Sequence, residues 1–224
     1  MQIAIDGPAS AGKSTVAKII AQNLNFTYID TGAMYRAATW LAREHKLSYS
    51  DEKGILAAIG HENIELKSQD GQQQVFVGDK DISQDIRTPD ISAHVSQVSA
   101  LAGIRAKMVS LQRQMAGKMN VVMDGRDIGT TVLPNAEVKI FLIASAYSRA
   151  KRRMLDFKER GIKTDKSLEE IERDISQRDY KDSHRKISPL KKAPNAIEID
   201  TTSMTIDQVV NAILSEVKKS QKKL

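Results

Sequence analysis

This sequence predicts an α/β fold, a mostly parallel sheet with helices on both sides, and three observations carry that expectation. Five short apolar runs with β-branched content, at 3–5, 26–29, 120–123, 138–143 and 196–199, are separated by segments of helical spacing. These runs have few polar breaks, as strands buried on both faces do. The chain has 224 residues, enough for one good-sized domain, or one domain with insertions, but not comfortably for two independent cores.

In chain order, Ile3-Ala4-Ile5 ends in Asp6-Gly7, and a small-residue loop then leads to Val16, Ile19, Ile20 and Leu24 at helical spacing. Residues 26–29 form the second strand and 34–44 a helix. Between 63 and 82, Ile64/Leu66 and Val75/Val77 alternate around a turn signal at Asp70-Gly71, an antiparallel excursion that marks 63–88 as part of an inserted subdomain. After Thr88-Pro89, helical spacing returns through Ile91, Val95 and Val98, then Ile104, Met108, Leu111 and Met115. Strands at 120–123 and 138–143 follow. Ser167 with Glu170 makes a capping box for a helix carrying Ile171 and Ile175. After the last strand, Thr205 with Gln208 caps a helix whose stripe is Ile206, Val209, Val210, Ile213, Leu214 and Val217.

Composition narrows the function classes. With 41% hydrophobic and 28% charged residues the chain is expected to fold as a soluble globular domain. No apolar stretch approaches the roughly 20 residues of a membrane span. The start lacks the basic and apolar pattern of a signal peptide, so the expected location is cytoplasmic, with no membrane partner. The absence of cysteine removes thiol catalysis, disulfides and Cys-ligated metals. The net charge of +6 hints at nucleic acid, but residues 218–224 hold four lysines and no acid. Without them 30 bases face 28 acids, and the 4% aromatic content offers no base-stacking platform. No nucleic-acid partner is expected.

Four polar signals carry chemistry. The first, Gly7-Pro8-Ala9-Ser10-Ala11-Gly12-Lys13-Ser14 followed by Thr15, has the form G-x-x-x-x-G-K-[ST] between a strand and a helix. Glycines let the backbone wrap a phosphate chain with N–H groups inward, and the helix start adds positive potential. Lys13 is expected to reach the β- and γ-phosphates and the Ser14 hydroxyl to ligate Mg²⁺, so this is an ATP-type site.

The second signal is the loop expected after the second strand, Asp30-Thr31-Gly32-Ala33-Met34-Tyr35-Arg36. Strand carboxyl ends face the ligand crevice in such sheets. Arg36 can grip a phosphate bidentately and Tyr35 can pack on a ribose or base, although Met34, Tyr35 and Trp40 also suit a helix core. The third, Asp124-Gly125-Arg126-Asp127-Ile128-Gly129-Thr130, again ends a strand. Asp124 suits support of Mg²⁺ through water, Arg126 a phosphate, and Asp127 the amino group of a base such as cytosine. The fourth is basic: Arg149, Lys151, Arg152, Arg153, Lys158 and Arg160 crowd one helix, with Arg178, Asp182 and Arg185 later. Most of these read as a solvated face, yet phosphoryl transfer needs cations that neutralise the transferring oxygens, and at least two are expected to do so. The four histidines make no metal spacing.

Taken together, the P-loop, Asp30 to Arg36, Ile86-Arg87-Thr88, Ser96-Gln97-Val98-Ser99, Asp124 to Thr130 and the stretch from Arg178 through Asp182 to Arg185 resemble the bacterial cytidylate kinase family, from Ile3 to about Val217. The resemblance implies a nucleoside-monophosphate kinase fold with a five-stranded parallel core. Within one domain, 1–224, it implies a monophosphate-binding subdomain at 36–105 carrying the antiparallel insert, and a short lid near 148–165. It also implies transfer of the ATP γ-phosphoryl group to CMP or dCMP, with Mg²⁺ as cofactor. By position, Ser96, Arg105 and Asp127 would read cytosine. Thr31, Tyr35, Arg36 and Arg126 would hold the 5′-phosphate region, and Asp182 would contact the ribose hydroxyls. Arg178 and Arg185 would lie near the phosphates, and Arg152 and Arg153 would belong to the lid. With Lys13 and Arg126, these four arginines form the expected catalytic set, and nothing demands a partner beyond the two substrates, so a monomer is expected.

Three other readings are weighed. A P-loop kinase for another small acceptor, such as UMP, AMP or a non-nucleotide metabolite, is the runner-up, and turnover with a panel of acceptors separates the two. A P-loop GTPase lacks its N-K-x-D motif here. A basic nucleic-acid-binding module would need binding that falls steeply with salt and depends on residues 218–224.

Overall fold

The computed structural model describes residues 1–69, 72–117 and 119–222; the expected turn at Asp70-Gly71 and the end of the tail, Lys223-Leu224, lie outside the described residues. The chain divides into two compact units, one made of Met1–Tyr28 with Met119–Leu224 and the other of Ile29–Lys118.

The first unit starts with β1 (Gln2–Asp6) and α1 (Lys13–Leu24), and β2 (Thr27–Asp30) carries the chain into the second. There the elements are α2 (Thr31–Glu44), α3 (Glu52–His61), β3 (Ile64–Gln69), β4 (Gln72–Val77), β5 (Lys80–Asp81), a short 3₁₀ turn, α4 (Pro89–Ala100) and α5 (Ala102–Ala116). The chain returns through β6 (Val121–Gly125), a single wide turn at Ile128–Val132, β7 (Val138–Ile143), α6 (Ala146–Glu159), α7 (Leu168–His184), β8 (Ile197–Asp200) and α8 (Ile206–Gln221).

The large sheet has the order β2-β6-β1-β7-β8, and β1 pairs in parallel with both β6 and β7. Central β1 and β6 are buried along almost their whole length, as continuous apolar runs predict. The 196–199 run departs from that expectation. As β8 it is an edge strand, largely exposed, with Ile197 at 39%. An edge strand pairs on one side only, so β-branched content here reflects pairing with β7 and not burial on both faces.

The core of this unit packs Ile3, Ile5, Val122, Val138, Ile140 and Leu142 of the sheet against Val16 and Ile20 of α1 and Val209, Val210 and Ile213 of α8. Fully burying each such side chain is worth about 1.5–3 kcal/mol, which outweighs any helix propensity in holding α1 and α8 on the sheet. Both expected capping boxes form, Ser167 with Glu170 and Thr205 with Gln208. Helices α6 and α7 pack on each other over Ala150, Phe157, Ile171 and Ile175.

In the second unit, α2 opens earlier than the periodicity suggests. The Asp30 side chain accepts the Ala33 N–H and starts the helix at Thr31, so Thr31–Arg36 is its first turns and not a loop. The excursion forms as an antiparallel pair, Ile64 opposite Val77 and Leu66 opposite Val75, extended by β5. Its apolar side packs into the core of α2 to α5, which holds Met34, Trp40, Leu41, Ile55, Ile91 and Met108.

Candidate active site

The P-loop is shaped by its surroundings in the first unit. Gly7 has φ 149, and a Cβ there would press into the Leu142 carbonyl of neighbouring β7, so no other residue fits the exit from β1. Ala9 is braced from both sides. Its N–H donates to Asp179 Oδ1 at 2.9 Å, and its carbonyl accepts from Arg149 Nη1 at 3.0 Å. Arg149 also pairs with Asp179 and donates to the Ala144 carbonyl. Sequence reading placed Arg149 in a basic helix face and gave Asp179 no part. The exposed Arg160, by contrast, pairs locally with Asp156, as a solvated face would.

Lys13 is buried, with Nζ on the Pro8 carbonyl at 2.6 Å. Burial, reinforced by Arg126, pulls its ammonium down to about 7. The Ser14 hydroxyl donates to Asp124 Oδ2 at 2.9 Å, and the Tyr28 hydroxyl donates to Asp124 Oδ1 at 2.7 Å. Asp124 is the fourth residue of β6 and is buried, so it faces Ser14 directly. Two hard oxygen groups side by side, with no larger acidic cluster among the described residues, match what Mg²⁺ takes from a protein when substrate phosphates supply other ligands.

Around Arg126 the charges interlock. Arg126 Nε pairs with Asp182 at 3.0 Å, and Arg185 Nη2 with Asp127 at 3.4 Å, three of these four side chains being less than a tenth exposed. Burial works against the Asp182 carboxylate, but Arg126, Arg178 and Arg185 together hold it below the usual range. Burial and the repulsion of Arg126 pull Arg178 down to about 10, and its Nε has no hydrogen-bond partner among the described residues. Arg153 stacks on Phe157, with its guanidinium 5.4 Å from the ring centre and within electrostatic range of Arg126. Lys13, Arg126, Arg153, Arg178 and Arg185 thus bring positive charge together among the carboxylates of Asp124, Asp127, Asp179 and Asp182, a grouping suited to phosphate oxygens.

Arg152 is placed elsewhere. It donates to the Thr201 hydroxyl at 3.0 Å, to the Thr201 carbonyl and to the Ala11 carbonyl, so it ties the P-loop to the end of β8. Thr201, buried and bonded to the Ile143 carbonyl at 3.1 Å, gave no sequence signal. Asp6 was also unforeseen. Its carboxylate takes the N–H groups of Ile128 and Gly129 at 2.8 Å each, and burial pushes it up to about 6 despite those bonds.

In the second unit, Thr31 is buried at the start of α2 next to the capping Asp30. Asp30 Oδ2 accepts from Arg87 at 2.8 Å. Burial raises the Asp30 carboxyl, but Arg87, the Ala33 N–H and Arg36 overcome that and leave it below the usual range. Arg36 donates to the Ile86 carbonyl at 3.0 Å and to Ser92 at 2.8 Å. Arg105, 2% exposed, reaches the Ser99 carbonyl at 3.1 Å and lies 5.3 Å over the Tyr35 ring, while Ser99 bonds the Ser96 carbonyl. The structure therefore brings Tyr35, Arg105 and the Ser96 turn together, and groups Arg36 with Arg87 and Asp30.

Among the described residues no helix is long and apolar enough to cross a membrane. Solved structures with the same fold include a shikimate kinase from Bacteroides thetaiotaomicron, with TM-score 0.50 at 14% identity over 97% of this chain and 98% of that one. A gluconokinase from Sinorhizobium meliloti has TM-score 0.50 at 12% identity over 99% and 94%. These likenesses show the P-loop kinase fold alone. In sequence, the chain is 67% identical over 222 residues to a cytidylate kinase of Lactobacillus johnsonii, covering 99% of this chain and 96% of that protein. It is 54% identical over 220 residues to one of Streptococcus gordonii, covering 98% and 97%. With a P-loop followed by a Ser14–Asp124 pair and a partly buried arginine cluster, and with the cytidylate kinase family model matching residues 3–219, the chain belongs to the cytidylate kinase family.

Proposed function

We infer that this enzyme transfers the γ-phosphoryl group of ATP to CMP and dCMP, giving CDP or dCDP and ADP. The observation that carries this reading at the level of residues is Asp127, a buried carboxylate one residue from a phosphate-binding arginine and ion-paired to Arg185. A carboxylate ion-paired to an arginine can accept from the cytosine amino group, a donor that uracil replaces with a carbonyl oxygen.

Gly7 to Thr15 would bind the ATP phosphates, with Lys13 across the β- and γ-groups. Ser14 and Asp124 are the residues that would hold Mg²⁺, which when bound neutralises the phosphate oxygens. Ser96, Arg105 and Asp127 would read the base, Asp182 the ribose, and Thr31, Tyr35, Arg36 and Arg126 the 5′-phosphate. The CMP phosphate is already ionised at pH 7, so its oxygen attacks the γ-phosphorus without an obligatory general base, and the β–γ bridging oxygen leaves with ADP. Catalysis is then alignment together with charge neutralisation by Lys13, Arg126, Arg153, Arg178 and Arg185. Arg152, bonded to Thr201 and Ala11, would act on the shape of the P-loop.

Residues 36–105 would form the monophosphate-binding subdomain with its insert at 63–88, and 148–165 the lid that excludes water, all within one kinase domain acting as a monomer. The setting would be pyrimidine nucleotide metabolism in the cytoplasm, which suits a cysteine-free chain. Release of ADP from Mg·ATP, followed in a coupled assay with CMP, dCMP, UMP, AMP, GMP or no acceptor, tests this. Fast ADP formation with CMP and dCMP, weak with UMP and negligible without acceptor, is expected. Preference for another acceptor would overturn the cytidylate assignment.

A further inference from the structure

Asp6 lies at the end of β1, immediately before the P-loop, and both its carboxylate oxygens are taken up by the backbone of another loop. It is 3% exposed, and its two oxygens accept the N–H groups of Ile128 and Gly129 at 2.8 Å each. Those two amides open the wide turn Ile128–Val132. The Asp127 carbonyl accepts from Thr131 at 2.8 Å and from Val132 at 3.2 Å, so the first N–H groups of the turn have no partner within it. Asp6 satisfies them from 122 residues away in sequence. Strand β1 is hydrogen-bonded on both sides, to β6 and β7, which makes it a stiff base from which to hold a loop.

The neighbouring packing leaves little slack. A Cβ on Gly129 would meet Asp6 Oδ2 at 3.4 Å and the Lys139 stem at 3.2 Å, so the loop backbone is pressed against the carboxylate and only glycine seats it without pushing. The charged groups that act on Asp6 are Lys13, which favours its ionised form, and Asp127, which opposes it; the Lys139 stem forms the apolar wall. A buried carboxylate beside another carboxylate is costly. An apolar residue at position 6 would remove that cost but would leave two buried amides unpaired.

We propose that Asp6 is a positioning residue for acceptor recognition: by holding the Ile128 and Gly129 amides it sets where the Asp127 carboxylate stands, and so how well the site separates cytosine from uracil. This rests on the reading of Asp127 as the base-reading carboxylate. Asp127 directly precedes the two clamped amides and has the unusual backbone of φ −143 and ψ 27, so a shift of the clamp changes its direction. A hydrogen-bonding site rejects a wrong base because its buried groups are left unpaired, and that penalty depends on sub-ångström placement.

The experiment is a double-mutant cycle between Asp6→Asn and Asp127→Ala, read as the ratio of kcat/KM for CMP to that for UMP. Asparagine keeps one accepting oxygen and sets an NH₂ group against the other amide, so it breaks one bond at nearly constant volume. Asp6→Asn is expected to lower the ratio about tenfold, mainly through the KM for CMP, while the KM for ATP changes less than about twofold. In the Asp127→Ala background the same substitution is expected to leave the ratio unchanged, because its effect runs through Asp127. A merely structural role would lower the thermal midpoint and total turnover but not the ratio.

Should Asp6→Asn fail to fold, Gly129→Ala displaces the same loop from the opposite side and is expected to lower the ratio likewise. Loss of discrimination in Asp127→Ala with full discrimination in both loop variants overturns the role of Asp6 and leaves the base reading standing. Unchanged discrimination in Asp127→Ala overturns the base reading and this proposal with it. A rise in the KM for ATP as large as that for CMP would show that Asp6 acts on the P-loop instead, and would also overturn it.

Discussion

The Ser14 hydroxyl donates to Asp124 Oδ2 across 2.9 Å, joining the start of α1 to the end of β6. With Tyr28 holding the other carboxylate oxygen at 2.7 Å, Asp124 is oriented before any ligand arrives. If these oxygens hold Mg²⁺, Asp124→Asn loses a negative charge while keeping the shape. The Mg²⁺ concentration for half-maximal turnover at saturating ATP is expected to rise about tenfold or more, as loss of a carboxylate from a hard-cation site does. A Mg²⁺ titration of both proteins checks this, and coincident curves would remove Asp124 from the metal site.

Lys13→Ala is expected to reduce turnover by at least about 10³-fold, since the proposed mechanism has this cation neutralise charge on the transferring group. Its fold should survive. The amine is buried with its pKa pulled down to about 7, so folding opposes its charge and the ammonium adds no net stability at or below neutral pH. Above about 7 the unfolded chain holds the proton that the folded chain has released, so wild-type stability rises with pH in that range and the variant lacks the rise. Thermal midpoints at pH 7, unchanged or higher in the variant, together with the rate, test both halves of the claim.

Arg149→Met keeps the apolar stem but removes the brace on Ala9. It leaves the partly buried Asp179 carboxylate without its cation, and breaking such a pair costs about 3 kcal/mol. A lower denaturation midpoint and a KM for ATP raised by roughly fivefold or more are expected, because the loop loses the bonds that preorganise it. Denaturant melts and ATP saturation curves measure the two effects. An unchanged KM would confine Arg149 to stability.

Asp6 gives a signed pH dependence. Its carboxyl titrates at about 6 in the folded chain and near 3.9 when unfolded, so between those values the folded state binds the extra proton. The stability from that proton is full below about pH 4 and is lost as pH rises through 6, by about 3 kcal/mol in total. Asp30 and Asp182 run the opposite way, since their folded pKa values are lowered: they add stability above about pH 4 and lose it as pH falls further. Comparing unfolding free energies of wild type and Asp6→Asn from pH 4 to 7 isolates the first effect. The variant is expected to gain on the wild type across that window, and parallel curves would contradict it.

Much of this was legible in the sequence because it depends on neighbours in the chain. The small-residue loop before Lys13, the capping boxes at Ser167 and Thr205, and the alternation of Ile64, Leu66, Val75 and Val77 each express a spacing of two to eight residues. Local reading departed from the structure in two places. The run at 196–199 has the composition of an inner strand, yet β8 is at the edge because no strand follows it in the sheet order. Thr31 to Arg36 has the small residues of a loop, but the Asp30 cap makes it helix.

What the sequence determined by itself is the class of fold, the phosphate loop and its lysine, and the family. Backbone conformation and apolar periodicity act over a few residues, and the motifs are contiguous. What only the tertiary structure decided is which charges meet. Arg126 pairs with Asp182 56 positions on, Arg149 spans 140 to reach Ala9, and Arg152 turns to Thr201 instead of joining its neighbour Arg153 near Arg126. In a run of basic residues each arginine has the same local signature. Its partner is set by which buried carboxylate or carbonyl the fold brings within about 3 Å, where burial makes an unpaired charge too costly to leave.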